Sequence, residues 1–120
     1  MSLNFGEFIA KKRKEGGITL RGMADALEIA APYLSDIEKG RKNPPSLEML
    51  EKMSTLLTLS SLERDEMFDL AGDGKNQVSP DLPSYIMDLP EARTALRRAR
   101  DQGKDADFWN QVTESLMKEE

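Results

Sequence analysis

The chain of 120 residues contains neither cysteine nor histidine. Without cysteine it can form no disulfide and no thiolate metal site, which suits a reducing compartment such as the cytoplasm. Without histidine it lacks the usual general base of enzymes and the commonest protein ligand of transition metals. We therefore expect a cytoplasmic protein that is not an enzyme, with no catalytic residues, no metal site and no cofactor.

Long apolar runs are also missing. Apolar residues make up 38% of the chain, and no stretch approaches the roughly 18 consecutive apolar residues that a membrane-spanning helix needs. Residues 1–7 do not have the charged-then-apolar order of a secretion signal. The sequence therefore predicts no membrane partner.

The net charge of −5 is unevenly distributed along the chain. Residues 1–44 hold eight Lys and Arg against six Asp and Glu, a net charge of +2. Residues 45–120 hold nine against sixteen, a net charge of −7. A mildly basic front half can face phosphates while an acidic remainder keeps the protein soluble, although chance unevenness explains the distribution nearly as well.

Strand patterns are scarce, and helical periodicity covers most of the chain. Thr19 and Ser46 are typical N-caps, and Pro32 suits the first turn of a helix. We predict helices at about residues 3–15, 20–27, 31–39, 47–57 and 61–71. The fifth helix is expected to bury four apolar side chains, those of Leu62, Met67, Phe68 and Leu70.

A polar, glycine-containing segment follows the fifth predicted helix. We assign residues 1–72 to one domain, residues 73–83 to a linker and residues 84–120 to a helical C-terminal extension. About 40 residues cannot bury a stable core alone, so the extension must pack on the front domain, on a second copy of itself, or on both.

The second and third predicted helices are separated by only residues 28–30. Two helices joined by so short a turn cannot lie side by side and must cross steeply, as in a helix-turn-helix. In that arrangement the first helix braces against the DNA backbone, and the second fits the major groove, whose width admits one α-helix.

The residues around this turn resemble the Cro/C1-type (XRE-class) regulators over residues 5–72. The similarity lies in Phe5–Ile9, Gly17–Thr19, Met23–Leu27, Pro32–Gly40, Asn43–Ser46 and Leu50. Residues 63–72 also resemble a common ending of the family's domain. The resemblance implies an all-α, lambda repressor-like bundle of five helices, here with a C-terminal helical extension. It also implies a sequence-specific transcription regulator that binds double-stranded DNA as a homodimer, and we expect a repressor that inserts the helix at about 31–39 into the major groove.

Four residues early in the third helix match the base-reading face of the family: Ala31, Pro32, Ser35 and Asp36. None of them is an Arg, Gln or Asn, the residue types that make bidentate contacts with bases. Ala31 and Pro32 can touch thymine methyl groups, and Ser35 can bond to either kind of base. Asp36 can accept a hydrogen bond from cytosine N4 or pair with Lys39 or a residue of the second helix. The alternative is a helix face that only contacts solvent.

Residues that can contact the DNA backbone surround this helix. Arg21 begins the second helix, whose N-terminus itself suits an anion. The full set of backbone candidates comprises Arg13, Thr19, Arg21, Tyr33, Lys39, Arg41, Lys42 and Asn43. Glu38 is acidic where DNA should be near, so we expect it to brace the third helix, through an ion pair with Arg13 or as an acceptor for the backbone.

The C-terminal extension is less informative. Tyr85, Leu96, Trp109 and Val112 are candidates for a dimer interface, and packing on the chain's own front domain is an equal alternative. An antitoxin that binds a toxin and represses its own operon is a second functional hypothesis. A sensor whose extension binds a small molecule or peptide is a third, and the sequence identifies no such effector.

Overall fold

The computed structural model describes residues 3–119, and every regular element among them is an α-helix. This confirms the predicted all-α fold. The helices are α1 (Phe5–Glu15), α2 (Leu20–Leu27), α3 (Ala31–Glu38), α4 (Leu47–Leu56), α5 (Ser61–Gly74), α6 (Pro83–Met87), α7 (Pro90–Asp101) and α8 (Ala106–Met117). Within the described residues no helix has the length and apolar character required to cross a bilayer.

Side-chain caps fix the start of most helices in the front half of the chain. The Thr19 hydroxyl accepts the Gly22 N–H at 2.9 Å, and Ser46 accepts the Met49 N–H, so both predicted N-caps are confirmed. α1 begins at Phe5 rather than at about Leu3. The reason is a capping box in which Asn4 and Glu7 bond to each other's backbone N–H groups, which satisfies donors that the first turn leaves free.

The core of the front half is one apolar cluster shared by α1 to α5. Its fully buried larger side chains are Phe8, Ile9, Met23, Leu34, Ile37, Leu50, Met53, Met67 and Phe68. α1 packs against α3 and α5, and α2 packs against α3 and α4. α3 is therefore held from two sides, and only its remaining surface is free.

The prediction that Leu62 is buried was wrong, because its side chain is 82% exposed. At 100° per residue Leu62 projects almost opposite to Met67 and Phe68, which face the core. α5 also continues to Gly74, two residues into the segment expected to be the linker. Gly72 lies where the returning chain passes closely: an added Cβ would be 2.6 Å from the carbonyl oxygen of Gln77.

The chain forms two compact units, residues 1–83 and 84–120, which we call the N-terminal and C-terminal units. In the C-terminal unit, Arg93 donates to the carbonyl oxygens of Ile86 and Met87 and so caps the end of α6. Asp105 caps α8 by accepting the N–H groups of Asp107 and Phe108. Polar contacts therefore define the ends of these helices. Among the described residues of this unit, Ala99 is the one buried apolar residue.

Candidate nucleic-acid interface

The turn between α2 and α3 has the predicted length of three residues. Glu28 ends α2 in a left-handed conformation with φ of 59°, which reverses the chain sharply. The N–H of Ile29 bonds to the carbonyl of Ala24, and the half-buried Ile29 side chain packs on the core. Ala30 is the N-cap of α3 and Pro32 lies in its first turn. This turn connects α2 directly to α3.

One face of α3 is directed outward. Leu34 and Ile37 are buried, so at 100° per residue the opposite side of the helix carries Pro32, Ser35, Asp36 and Lys39. Pro32 and Lys39 are exposed, and Ser35 and Asp36 are half-buried. We call these four residues the outward face.

Two other predicted contact residues lie at the margins of this face. Ala31 is half-buried and packs against the apolar core, so less of its methyl group can reach a base. The Tyr33 side chain is 37% exposed on the other margin. Tyr33 therefore stays a candidate for a contact with the DNA backbone.

A buried ion pair joins α1 to the end of α3. Arg13 donates two hydrogen bonds to the Glu38 carboxylate, at 2.8 and 3.0 Å, and a third to the carbonyl oxygen of Ile18 at 3.0 Å. The hydrogen bond from Arg13 to Glu38 raises the pKa of the guanidinium. The predicted bracing role of Glu38 is confirmed. Arg13 itself is only 8% exposed, so its placement does not support the expectation that it reaches a phosphate.

Gly6 lets α1 approach the end of α3 closely. A Cβ added at Gly6 would lie 2.4 Å from the carbonyl oxygen of Ile37 and 2.5 Å from that of Glu38. These are backbone atoms of the outward-directed helix and cannot rotate away. Sequence reasoning missed Gly6, since a glycine inside a helical pattern does not indicate which neighbour comes close.

The loop after α3 is attached to Asp36. The N–H groups of Arg41 and Lys42 both point to the carbonyl oxygen of Asp36, at 2.8 and 3.3 Å. The Arg41 guanidinium also lies 3.6 Å from the Asp36 carboxylate. The predicted partners of Asp36, Lys39 or a residue of α2, are therefore replaced by Arg41. This pair spans the helix end, where i,i+4 spacing rules no longer identify neighbours.

The remaining backbone candidates are at the surface. Arg21 lies in the first turn of α2, next to the N-cap Thr19, and both are exposed. The other exposed candidates are Lys39, Arg41, Lys42 and Asn43. The cations at the start of α2, at the end of α3 and in the following loop are thus at the surface, with Arg41 paired to Asp36.

The candidates for a dimer interface lie on the C-terminal unit. The side chains of Tyr85, Leu96 and Trp109 are 65%, 41% and 38% exposed, and Val112 is half-buried. The ring of Trp109 packs edge-on against Phe108, with ring centres 4.9 Å apart. This unit therefore presents apolar side chains to solvent.

Comparison with known proteins finds a family match within the N-terminal unit. Residues 9–65 match the family described as helix-turn-helix. The chain is 36% identical over 83 residues to the HTH-type transcriptional regulator DdrOP3 of Deinococcus deserti. The alignment covers 69% of this chain and 61% of DdrOP3. It is 40% identical over 55 residues to the HTH-type transcriptional regulator SinR of Bacillus subtilis. That alignment covers 46% of this chain and 50% of SinR.

A solved structure, described as SinR, the master regulator for biofilm formation, in complex with DNA, is 39% identical. It covers 47% of this chain and 89% of that one, with a TM-score of 0.44. The curated relatives are regulators, which confirms the expectation of a regulator family rather than an enzyme family. The chain spans about half to three-fifths of their length, and over residues 9–65 it is similar to the helix-turn-helix family, in agreement with the predicted resemblance to the Cro/C1-type regulators.

Proposed function

We propose that the chain is a sequence-specific DNA-binding transcription regulator that inserts α3 into the major groove of double-stranded DNA. The observation that carries this proposal is the outward face of α3. Its four polar or small side chains project from a helix whose other sides pack on α1 and α2. Base-reading candidates are Ala31, Pro32, Ser35 and Asp36, with Ala31 the most restricted because it packs on the core.

The exposed cations around α3 supply the contacts to phosphates. Arg21 has the additional support of the free N–H groups at the start of α2, which favour an anion. Lys39, Arg41 and Lys42 act at the other end of α3, and Thr19, Tyr33 and Asn43 add neutral donors. Because the base-reading side chains are small, most of the affinity comes from phosphate contacts and falls steeply as salt is added.

We further propose that the protein acts as a homodimeric repressor, with the apolar surface of the C-terminal unit forming the dimer interface. The exposure of the Tyr85, Leu96 and Trp109 side chains supports this assignment, since a contiguous exposed apolar patch marks an interaction surface. A two-fold dimer requires an operator with two half-sites about one helical turn apart or a multiple of it. Occupation of such a site near a promoter blocks transcription.

The test is selection of bound duplexes from a random pool, followed by titration of the recovered duplex at several salt concentrations. We expect a two-fold symmetric motif. On the recovered duplex, replacing both Arg41 and Lys42 by Ala should reduce affinity and flatten the slope of log Kobs against log salt concentration by about two units. Lys52→Ala, on the exposed surface of α4, is the control and should leave the slope unchanged. If no duplex is retained at low ionic strength, the protein is not a DNA-binding regulator.

A further inference from the structure

Asp36 is an acidic residue on a face that we expect to meet a polyanion. A carboxylate near phosphates is repelled, so it contributes to binding only where a base presents an N–H group. The major groove presents two exocyclic amino donors, N4 of cytosine and N6 of adenine. An Asp carboxylate favours cytosine N4, because adenine N7, beside N6, is itself an acceptor and repels the carboxylate. Asp36 therefore favours one base at one position and disfavours the others.

The Asp36 carboxylate is paired with Arg41 in the protein without DNA. The distance is 3.6 Å, and the Asp36 and Arg41 side chains are 34% and 67% exposed. An open, solvent-exposed pair of this kind stabilises a protein very little, so its ions can change partners at small cost. The loop geometry does not depend on it, because the N–H groups of Arg41 and Lys42 bond to the Asp36 carbonyl oxygen instead.

We propose that Asp36 and Arg41 form an exchange pair that couples one base contact to one phosphate contact. When Asp36 meets cytosine N4, the amino group takes the place of Arg41, and the guanidinium becomes free to bind a phosphate. On any other base the carboxylate keeps Arg41, and that phosphate contact is not made. Asp36 is thus a specificity-determining residue whose effect is transmitted by Arg41. This inference rests on the proposed binding of DNA by α3.

The coupling predicts different salt dependences on two duplexes that differ at a single base pair. Each phosphate contact contributes about −0.9 to the slope of log Kobs against log salt concentration. The wild-type protein should therefore show a slope about 0.9 steeper on the duplex with the preferred cytosine than on one with that base pair replaced. It should bind the preferred duplex about tenfold more tightly at low salt.

Three variants separate the two halves of the exchange pair. Asp36→Ala leaves Arg41 free on every duplex, so the slope should be steep on both duplexes and the cytosine preference should disappear. Arg41→Ala should give the shallow slope on both. Lys42→Ala is the matched control, because its backbone contact to Asp36 survives: both slopes should fall by about 0.9, and the difference between them should remain.

The base pair that Asp36 reads is found by repeating the duplex selection with Asp36→Ala. It is the position at which the selected motif no longer prefers one base. Thermal unfolding checks that each variant is folded, as expected for surface substitutions. Equal wild-type slopes on the two duplexes would overturn the exchange, as would a cytosine preference that survives in Asp36→Ala. Either result leaves DNA binding itself intact, whereas failure to bind any duplex would remove the proposed function as well.

Discussion

At the scale of single residues, Gly6 determines how closely α1 approaches the end of α3. An added Cβ would collide with the backbone oxygens of Ile37 and Glu38, at 2.4 and 2.5 Å. We expect Gly6→Ala to lower the free energy of unfolding by about 3 kcal/mol, the upper range for overpacking, because helix backbone must move. Chemical denaturation of the wild type and the variant measures this change in the free energy of unfolding.

Gly16→Ala is the control at the other end of α1. Gly16 has φ of −81°, and an added Cβ would come no closer than 3.5 Å to its neighbours. This substitution should be neutral or slightly stabilising, because alanine restricts the unfolded chain. Equal losses for the two variants would show that the collision at Gly6 is relieved without cost.

The buried pair of Arg13 and Glu38 gives a second prediction at this scale. Removing one partner leaves an uncompensated charge in a site where both side chains are about one-tenth exposed. We expect Glu38→Ala to lower the free energy of unfolding by about 3–5 kcal/mol.

Charge reversal at Glu38 should be equally severe, and reversal of both charges should restore part of the loss. The restoration is incomplete because a carboxylate at position 13 cannot donate to the Ile18 carbonyl. Additive losses in the double variant, measured by denaturant titration, would show that the two side chains do not stabilise the fold as a pair.

At the scale of helices, the sequence predicted those elements whose boundaries are set locally. Thr19 and Ser46 mark helix starts through their own hydroxyl groups, and the α2–α3 turn follows from its length. Local rules failed where the chain folds back on itself after a helix. Gly72 looks like a helix stop, yet α5 continues to Gly74, and the missing side chain of Gly72 leaves room for the backbone returning at Gln77 to Ser79.

The same distinction applies to the candidate site. The helix that carries the outward face was predictable, because buried and exposed positions follow helical spacing. The pairing of Arg13 with Glu38 was one of two alternatives that the sequence left open, and the structure shows it. The attachment of Arg41 to Asp36 was not, since it depends on how the chain turns after α3.

An ion pair between α1 and α5 makes stability depend on pH. The Lys12 ammonium, 2.6 Å from the Glu63 carboxylate, and the hydrogen bonds of Ser60 lower the pKa of Glu63 from 4.5 to about 2. A carboxyl group whose pKa is lower in the folded state than in the unfolded chain stabilises the fold at pH values above its unfolded pKa. This contribution is complete above about pH 4.5 and is lost as the pH falls towards about 2.

We therefore expect Glu63→Gln to flatten the pH dependence of the unfolding free energy within that window. Lys12→Met should have a similar effect because it removes the largest cause of the shift. Lys11→Met, at the exposed neighbouring position of α1, is the control and should keep the wild-type dependence. Denaturant titrations across the acid range measure all four proteins, and a Glu63→Gln curve parallel to the wild type would contradict the assignment.

At the scale of the whole molecule, the division into two units matches the two tasks that we propose, DNA reading and dimerisation. The N-terminal unit has a complete apolar core and presents α3. The C-terminal unit exposes Tyr85, Leu96 and Trp109, the residues that we propose for the dimer interface. In this proposal affinity for DNA depends on the second unit as well, since two linked reading helices bind far more tightly than one.

Trp109 reports directly on the proposed dimer interface, because it is the only tryptophan in the chain and is 38% exposed. If the C-terminal units associate, the indole becomes less exposed in the dimer. On dilution, sedimentation should show the dimers dissociating, and the Trp109 fluorescence should shift to longer wavelength over the same concentrations. Leu96→Asp should give the long-wavelength spectrum and the monomer mass at all concentrations, since association would bury an unpaired charge. Leu62→Asp, at an exposed leucine of the N-terminal unit, should behave like the wild type. A dimer that dissociates without any spectral shift would place the interface away from Trp109.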